Sequence, residues 1–319
     1  MNSRSQASPL RVLGAAALIA GLAAGCGTTP PAHSPPAPAP GPSAPPGSPT
    51  LDWAAVERSL GTPLDTGEGA ERSTDFPRTD LHVNTRGVQL QPGMEIGAEV
   101  HFLPTGGNNA LLIGEMTVTD REQPRVIDAL QRGGLEITAV HKHMYAQTPD
   151  LWWVHFDGYN DAAAEAAAVH NALAATAMPP KPPPGAEEPL RGLDTAALDH
   201  IIGASGRAED GAYQYHVPVT MPITDTRAQV QLPYPMEAST LLLFQPLGNN
   251  QAAINGDFAL TADQLNPVMS ALREHGIHIV TVHNHMIHEQ PRLFYVHYWA
   301  TGDAPTLARA LRAALDRTR

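Results

Sequence analysis

The chain has 319 residues, of which 42% are hydrophobic and 16% charged, a composition typical of globular proteins and sufficient for two hydrophobic cores. Its formal net charge of −12 disfavours nonspecific binding to nucleic acids and to anionic lipid surfaces, so we expect no nucleic-acid partner. The single cysteine, Cys26, excludes an intrachain disulfide and a cysteine-rich metal site.

The first 25 residues have the pattern of a secretory signal peptide. Arg4 and Arg11 are followed by an apolar run over residues 12–24, which is shorter than the about 20 residues needed to span a bilayer. The segment ends in Leu-Ala-Ala-Gly-Cys and resembles the bacterial lipobox. That resemblance implies that residues 1–25 are removed, that Cys26 carries a lipid, and that the protein is anchored to the outer face of the bacterial cell membrane. An ordinary signal peptide followed by an incidental cysteine is the alternative.

Two proline-rich segments divide the rest of the chain. Residues 26–50 are rich in Pro, Ala and Ser and carry no Asp, Glu, Lys or Arg, which predicts an extended tether rather than a folded core. Residues 178–190 are also rich in proline and predict a linker. The segments on either side of it, residues 51–177 and 191–319, are the predicted domains.

These two domains are copies of one unit. Residues 110–176 align without a gap with residues 252–318, and 23 of the 67 aligned positions are identical. The same offset of 142 residues relates Leu51-Asp52 to Leu193-Asp194. An internal repeat of this kind indicates duplication of a unit of about 130 residues.

Each copy predicts the same order of elements: a short helix, several strands, an amphipathic helix, a hairpin of two strands and a last helix. Asp194 and Asp303 are the expected N-caps of the first and last helices, and Gly276 is the expected C-cap glycine. The order predicts an α+β fold of two tandem domains, each with a mostly antiparallel sheet packed with helices. In the second copy the elements are predicted at residues 194–203, 239–245, 252–260, 262–275, 277–286, 293–299 and 303–315.

The fifteen histidines include a pattern that occurs in both copies. In each trio the first two histidines are two residues apart on one strand and therefore face the same side. The third lies on the partner strand, and the three imidazoles converge if the register places His283 opposite His297, whereas a shift of one residue would separate them. Such a trio suits a divalent transition metal, Zn, Mn, Fe or Cu. The trios are His141, His143 and His155 in the first copy and His283, His285 and His297 in the second.

Acidic residues near the trios are candidates for further ligands. Glu289 follows His285 by four residues, and the resulting His-x-His-x3-Glu resembles the first metal motif of the cupins, which implies a His/Glu metal site. The glycines and the second motif of that family are missing, and the first copy has Gln147 at the position of Glu289. Glu115 and Asp257 occupy matching positions and are candidate ligands, general bases or buried partners of a histidine.

The second copy contains a further set of short motifs. They are Gly256-Asp257, Asn266-Pro267-Val268, His283 to Met286, Pro291 to Phe294 and Trp299 to Asp303. In these motifs the second copy resembles the LppY/LpqO family of bacterial lipoproteins, a family of unknown function. The resemblance is looser in the first copy, so a site present in one copy only is expected in the second. It implies that the protein is a lipoprotein and brings no activity.

Three hypotheses follow for the function. The first is an envelope lipoprotein that binds a metal ion or a small ligand at His283, His285 and His297, with Glu289 or Asp257 assisting. The second is a metal-dependent enzyme that uses the same residues and keeps one coordination position open to water. In the third, the histidines are buried hydrogen-bonding groups of a structural or interaction module, with an envelope protein as its partner.

Overall fold

The computed structural model of the protein describes residues 51–181 and 190–319. The predicted signal peptide, Cys26, the tether over residues 26–50 and most of the predicted linker lie outside the described residues. Of the helices in the described part of the chain, none is long and apolar enough to cross a membrane.

The elements follow one order in both copies, which are named repeat 1 and repeat 2 below. Repeat 1 comprises α1 (Trp53–Leu60), β1 (Asp65–Thr66), β2 (Arg72–Pro77), β3 (Asn84–Thr85), β4 (Val88–Gln89), β5 (Gly97–Gly106), β6 (Asn109–Thr119), α2 (Gln123–Arg132), β7 (Glu136–His141), β8 (Leu151–Asp161) and α3 (Ala162–Leu173). Repeat 2 comprises α4 (Thr195–Ile202), β9 (Arg207–Glu209), β10 (Ala212–Pro218), β11 (Thr224–Asp225), β12 (Val230–Gln231), β13 (Ser239–Gly248), β14 (Gln251–Leu260), α5 (Ala262–Glu274), β15 (His278–His283), β16 (Glu289–Gln290), β17 (Phe294–Asp303), α6 (Ala304–Leu315) and a 3-10 turn (Asp316–Thr318).

Each repeat forms one six-stranded antiparallel sheet with the same strand order. The order is β1-β2-β5-β6-β8-β7 in repeat 1 and β9-β10-β13-β14-β17-β15 in repeat 2. Short strands add a three-stranded sheet, β12-β11-β16, and a β3-β4 pair. The predicted α+β class with mostly antiparallel sheets is confirmed. In both sheets, the two strands of the histidine hairpin are neighbours at one edge.

Local sequence accounts for the helix ends. Asp194 and Asp303 cap α4 and α6 as predicted, each accepting a hydrogen bond from the backbone N–H three residues later. Gly276 follows α5 with a φ of 78°, a left-handed conformation that glycine adopts without strain. Leu307 and Leu311 of α6 are buried at the spacing expected of an amphipathic helix.

The long helices of each repeat cover the outer face of its sheet. In repeat 1 the outer core joins Val56 of α1 and Val169 of α3 to Phe102 and Val154 of the sheet, and repeat 2 has an equivalent core. All four of these side chains are fully buried, so this face of the sheet is closed to solvent.

The inner faces of the two sheets pack against each other. Two apolar clusters combine residues of both repeats: one packs Trp153 of repeat 1 with Leu243 of repeat 2, and the other packs Leu111 of repeat 1 with Tyr295 of repeat 2. Both repeats belong to one compact unit. The layers are therefore helix, sheet, sheet and helix, with polar side chains of the two inner faces buried between the sheets.

Candidate metal centre

The two strands of the β15–β17 hairpin are shifted by two residues relative to a register with His283 opposite His297. Thr281, rather than His283, lies opposite His297, and β7 and β8 pair with the same offset in repeat 1. A shift of two residues keeps every side chain on its face of the sheet. β15 ends at His283, so His285 lies in the turn that follows, yet the centroids of these two rings are only 4.8 Å apart.

The inner faces of the sheets bring both predicted trios into one cluster of six histidines. Adding 142 to the number of each histidine of repeat 1 gives a histidine of repeat 2, and the contacts between the rings follow the same correspondence. The cluster therefore has approximate twofold symmetry. The sequence analysis named the two trios separately, because a sequence does not show which surface the inner face of a sheet packs against. The rings stack across the interface with centroid distances of 3.5 Å for His141–His283, 3.8 Å for His143–His297 and 4.0 Å for His155–His285.

Four of the histidines approach one another through Nε2 atoms. His141 Nε2 lies 3.3 Å from His297 Nε2, and His285 Nε2 lies 2.9 Å from His283 Nε2. Each of the four rings offers a ligand atom within 4.8 Å of the other three. Two nitrogens that bind one metal ion at about 2.1 Å are roughly 3.0–3.4 Å apart, so these distances fit a shared ion.

Repeat 1 offers a second group beside the first. Its three histidines have nitrogens within 4.8 Å of one another. One oxygen of Glu115 lies 3.1 Å from His155 Nε2 and 3.9 Å from His143 Nε2. In repeat 2 the corresponding carboxylate, Asp257, lies 3.3 Å from His285 Nε2. The structure therefore places the two acidic candidates at equivalent positions in the cluster.

Two glutamates outside every motif named above approach the Nδ1 side of the rings. Glu237 Oε2 forms a hydrogen bond of 2.6 Å with His285 Nδ1, and Glu95 Oε2 lies 3.2 Å from His143 Nδ1. A carboxylate at Nδ1 fixes a metal-binding histidine with its Nε2 towards the metal. The sequence does contain a signal for these residues, because a Met-Glu pair recurs at 94–95 and 236–237 with the offset of 142.

Both glutamates have a strained backbone. Their φ angles are 59° for Glu95 and 63° for Glu237, in the left-handed region that residues other than glycine rarely adopt. Such a conformation costs about 1–3 kcal/mol and persists where the surroundings impose it, often at functional sites. Its presence in both repeats is consistent with a role in placing the two carboxylates at the histidines.

Aromatic residues hold the backbone at Glu95 and Glu237 and cover the rings of His143 and His285. The Trp153 indole N–H donates to the Glu95 carbonyl at 2.6 Å, and the Tyr295 hydroxyl donates to the Glu237 carbonyl at 2.5 Å. The Trp153 ring stacks on His143 at 4.2 Å, and the Tyr295 ring stacks on His285 at 3.6 Å. Both aromatic side chains are fully buried, so the cluster has apolar walls at equivalent places.

The histidines are buried and neutral at neutral pH. All except His283 are at most 7% exposed. Burial lowers the pKa of His155 to about 4 and the pKa of His297 to about 3. Burial, followed by the neighbouring imidazoles, also lowers the pKa of His141, His143, His283 and His285. A neutral imidazole offers the lone pair that a metal ion requires.

The carboxylates of the cluster disfavour each other's ionisation. Burial, and then repulsion from the other carboxylates, raises the pKa of Glu95, Glu115 and Asp257. A cation placed among them would stabilise their ionised forms and reverse this effect.

Several buried nitrogens of the cluster have no hydrogen-bond partner in the described part of the chain. They are both ring nitrogens of His143 and of His155, together with Nδ1 of His141 and of His283. Glu95 and Glu115 approach His143 and His155 at 3.2 and 3.1 Å, but without the geometry of a hydrogen bond. Buried polar atoms of folded proteins nearly always have a partner, so these nitrogens are candidates for binding a ligand.

Glu289, the acidic residue of the cupin-like motif, is not brought to the cluster. Its carboxylate accepts hydrogen bonds from the Arg292 side chain at 3.2 Å and from the Leu293 backbone N–H at 3.1 Å. At the equivalent position Gln147 donates to the Leu151 carbonyl at 2.9 Å. Both residues therefore stabilise the loop of their hairpin. The spacing is misleading because the motif extends past the end of β15 into that loop.

Comparison with known families identifies the repeated unit. A family model described as Domain of Unknown Function (DUF1259) matches residues 54–175 and residues 196–317. The two matches coincide with the two repeats, and each contains one histidine trio. A search of curated proteins finds no match.

Solved structures with some similarity to the chain include shell proteins of bacterial microcompartments. The trimeric shell protein PduB is 12% identical, with 79% of this chain and 89% of that chain covered and a TM-score of 0.19. EtuB from Clostridium kluyveri is 10% identical, with 85% and 92% covered and a TM-score of 0.19. At TM-scores this low, the similarity carries no argument about fold or function.

Proposed function

Since the chain belongs to this family, whose description assigns no activity, we propose from the geometry that it binds divalent transition metal ions between its repeats. The observation that carries the proposal is the convergence of six imidazoles, four of which have buried nitrogens without a hydrogen-bond partner in the described residues. Histidines that served only as structural hydrogen-bonding groups would have partners, as buried polar groups do. Imidazole and carboxylate together suit Zn, Mn, Fe and Cu.

We assign one metal subsite to the trio of each repeat. In repeat 2, Nδ1 of His285 binds Glu237 and Nδ1 of His297 lies 3.0 Å from the Gly256 carbonyl oxygen, which leaves both Nε2 atoms for the metal. His141 of repeat 1 has ligand atoms near both trios, so its ring lies between the two subsites. In repeat 1, Glu115 supplies a carboxylate beside the histidines, as Asp257 does in repeat 2.

The proposed location of the protein is the outer face of the bacterial cell membrane. It is supported by the lipobox-like sequence at Cys26 and by the resemblance of repeat 2 to the LppY/LpqO lipoproteins. Metabolic labelling with a palmitate analogue tests it: label should enter the parent chain and be absent from a Cys26→Ser variant. Equal labelling of both would refute the anchor.

Elemental analysis of the full chain, purified without a histidine tag, tests metal binding. After exposure to Zn, Mn, Fe or Cu and removal of free ions, the parent should retain one ion per subsite for at least one of these metals. The His283→Ala/His285→Ala variant removes two ligands of the repeat 2 subsite and should lose that ion. Circular dichroism would establish that the variant remains folded.

A matched control uses two histidines of the same repeat that lie outside the cluster. His275 Nδ1 binds the Ala271 carbonyl at 2.8 Å, and His278 lies edge-on to Tyr145. The His275→Ala/His278→Ala variant should therefore keep the metal content of the parent. A parent that retains none of the four metals, or equal losses in the two double variants, would refute the proposed function.

A further inference from the structure

A cleft between the repeats leads from solvent towards the metal centre. It has a volume of about 710 Å³ and is lined by six carboxylates and one arginine. Repeat 1 contributes Glu71, Asp75 and Glu99, among others, while Glu209 and His216 come from repeat 2. We name this feature the entry cleft. Lys181, Arg207 and His101 each form ion pairs with some of these carboxylates, yet the carboxylates outnumber the three cations, so the cleft attracts cations and repels anions.

A smaller cavity lies between the entry cleft and the centre. It has a volume of about 50 Å³, and Glu99, His101 and His216 line both spaces. At its inner end, His285 and all four carboxylates near the cluster line the cavity. One water molecule occupies about 30 Å³ in the liquid, so this cavity has room for one or two waters.

His101 lies at the junction of the two spaces and is held by two carboxylates. Its Nδ1 lies 2.8 Å from Glu71 Oε1 and its Nε2 lies 3.1 Å from Glu99 Oε1. Burial lowers the pKa of His101, but the charges of Glu99 and Glu71 outweigh this and raise it to about 10. The second oxygen of Glu71 is buried without a hydrogen-bond partner in the described residues. The junction is therefore polar and keeps a free acceptor for a passing cation or its water.

The junction does not share the symmetry of the centre. At the offset of 142, repeat 2 has Leu241 and Leu243 where repeat 1 has Glu99 and His101. Leu243 is fully buried in the apolar cluster between the sheets. The polar lining at these positions is thus specific to repeat 1, although both repeats supply histidines to the centre.

From this arrangement we infer that hydrated divalent cations reach the centre through the entry cleft and the small cavity, which exclude organic substrates. The inference rests on the proposed function and specifies what the centre admits. Sites for organic ligands measure about 300–1,000 Å³, far more than the small cavity offers. Carboxylates at the mouth and along the passage raise the local concentration of cations and hence the rate of their association.

Loading kinetics of the metal-free full chain test the route, with Co²⁺ as the probe because its visible absorption reports replacement of water by histidine. Glu99→Gln/Glu209→Gln should slow association about tenfold at low ionic strength, and the difference should shrink in high salt. The final cobalt content should equal that of the parent. Ser239→Met, which fills the small cavity without a change of charge, should also slow loading.

The matched control is Asp128→Asn, since Asp128 is an exposed carboxylate of α2 that binds Arg132 outside the cleft. It should load at the rate of the parent. If the cleft and cavity variants also load at that rate while holding the same cobalt, the route is refuted and metal binding stands. If the parent binds neither Co²⁺ nor any of Zn, Mn, Fe and Cu, the proposed function fails, and the route fails with it.

Removal of cobalt by EDTA tests the exclusion of organic molecules. Because the chelator is larger than the small cavity, it should capture only ions that have already left the centre. The rate of loss should then be independent of EDTA concentration. A rate that rises in proportion to EDTA concentration would show that the chelator enters, which would overturn the exclusion.

Discussion

Repeat 1 and repeat 2 place the same three histidines on equivalent elements, but they differ in the residues around them. Repeat 1 buries Glu165 of α3 against Gly158 of β8, whereas repeat 2 has Leu307 and Ala300 at these positions. The glycine matters because a Cβ at residue 158 would lie 2.5 Å from Glu165 Oε1. The six histidines that meet across the repeat interface are the same in both copies, whereas Glu165 and Gly158, which meet within repeat 1, have no counterpart in repeat 2. The shared centre is thus the feature that both copies keep.

The largest expected effect is on the number of bound metal ions, in variants that remove ligands from one subsite or from both. His143→Ala/His155→Ala removes ligands of repeat 1 only, and we expect it to lose one bound ion and keep the other. His143→Ala/His297→Ala removes one ligand from each subsite and should weaken both. Elemental analysis of the two variants gives the comparison.

The two variants should give the reverse result if each subsite combines residues of both repeats. Glu95, His143 and His297 also have ligand atoms within 4.8 Å of one another, as do His155, Glu237 and His285. If subsites of this mixed composition bind the metal, the first double variant should lose both ions and the second only one. That outcome would contradict the assignment of one subsite to each repeat.

A smaller effect, on the free energy of unfolding, is expected from replacing Glu165, which repeat 1 buries at the position of Leu307 in repeat 2. Burial raises the pKa of Glu165 to about 8, so the folded chain retains a proton that the unfolded chain releases above about pH 4.5. Stability is therefore lost as the pH rises from about 4.5 to about 8. Glu165→Leu should be more stable than the parent by roughly 2–4 kcal/mol at pH 8, with most of this advantage gone at pH 5. Chemical unfolding at the two pH values measures the difference.

Glu165→Gln is the matched control because it removes the charge and keeps the shape. It should reproduce the pH dependence of Glu165→Leu with a smaller advantage, since a buried amide still lacks water. An advantage of Glu165→Leu that is equal at pH 5 and pH 8 would show that packing, not ionisation, is responsible.

The smallest effect on stability is expected from removing the N-cap of the first helix, and it should be the same in both repeats. The Asp52 carboxylate accepts a hydrogen bond from the Ala55 backbone N–H at 3.1 Å, and Asp194 accepts one from Ala197 at 3.0 Å. Replacing either aspartate by alanine should cost about 1 kcal/mol, measured by chemical unfolding. Asp52→Asn should cost much less because asparagine also caps a helix. Unequal costs would show that the first helices of the two repeats contribute differently to the fold.

Much of the fold could be predicted from local pattern and self-similarity. The offset of 142 identified the repeat, the caps Asp194 and Asp303 placed two helices, and the spacing of polar and apolar residues indicated antiparallel strands. The domain limits at 51–177 and 191–319 remain predictions. These features depend on interactions within a few residues or between adjacent strands, so a single sequence contains the information.

The site could be predicted only in part, because its final assembly is a long-range event. Alternation along a strand was the reason for placing His283 and His285 on one side, but β15 ends at His283, and the turn after it brings the two rings together. The two-residue shift in register keeps His297 on its face of the sheet. No local pattern shows that this face packs on its copy in the other repeat. Glu289 was assigned by spacing along the chain, whereas Glu237 reaches His285 from the distant loop before β13.

The stacking of each histidine on a ring of the other repeat has an evolutionary consequence. A protein with a single repeat would have half of the rings, and two identical molecules would have to associate to complete the centre. Every mutation in such an ancestor would change both halves at once. Fusion of two copies into one gene removes that restriction, so one half can carry Glu99 and His101 where the other carries Leu241 and Leu243. A single polypeptide can thereby keep a symmetric set of histidines while the residues beside them differ between its halves.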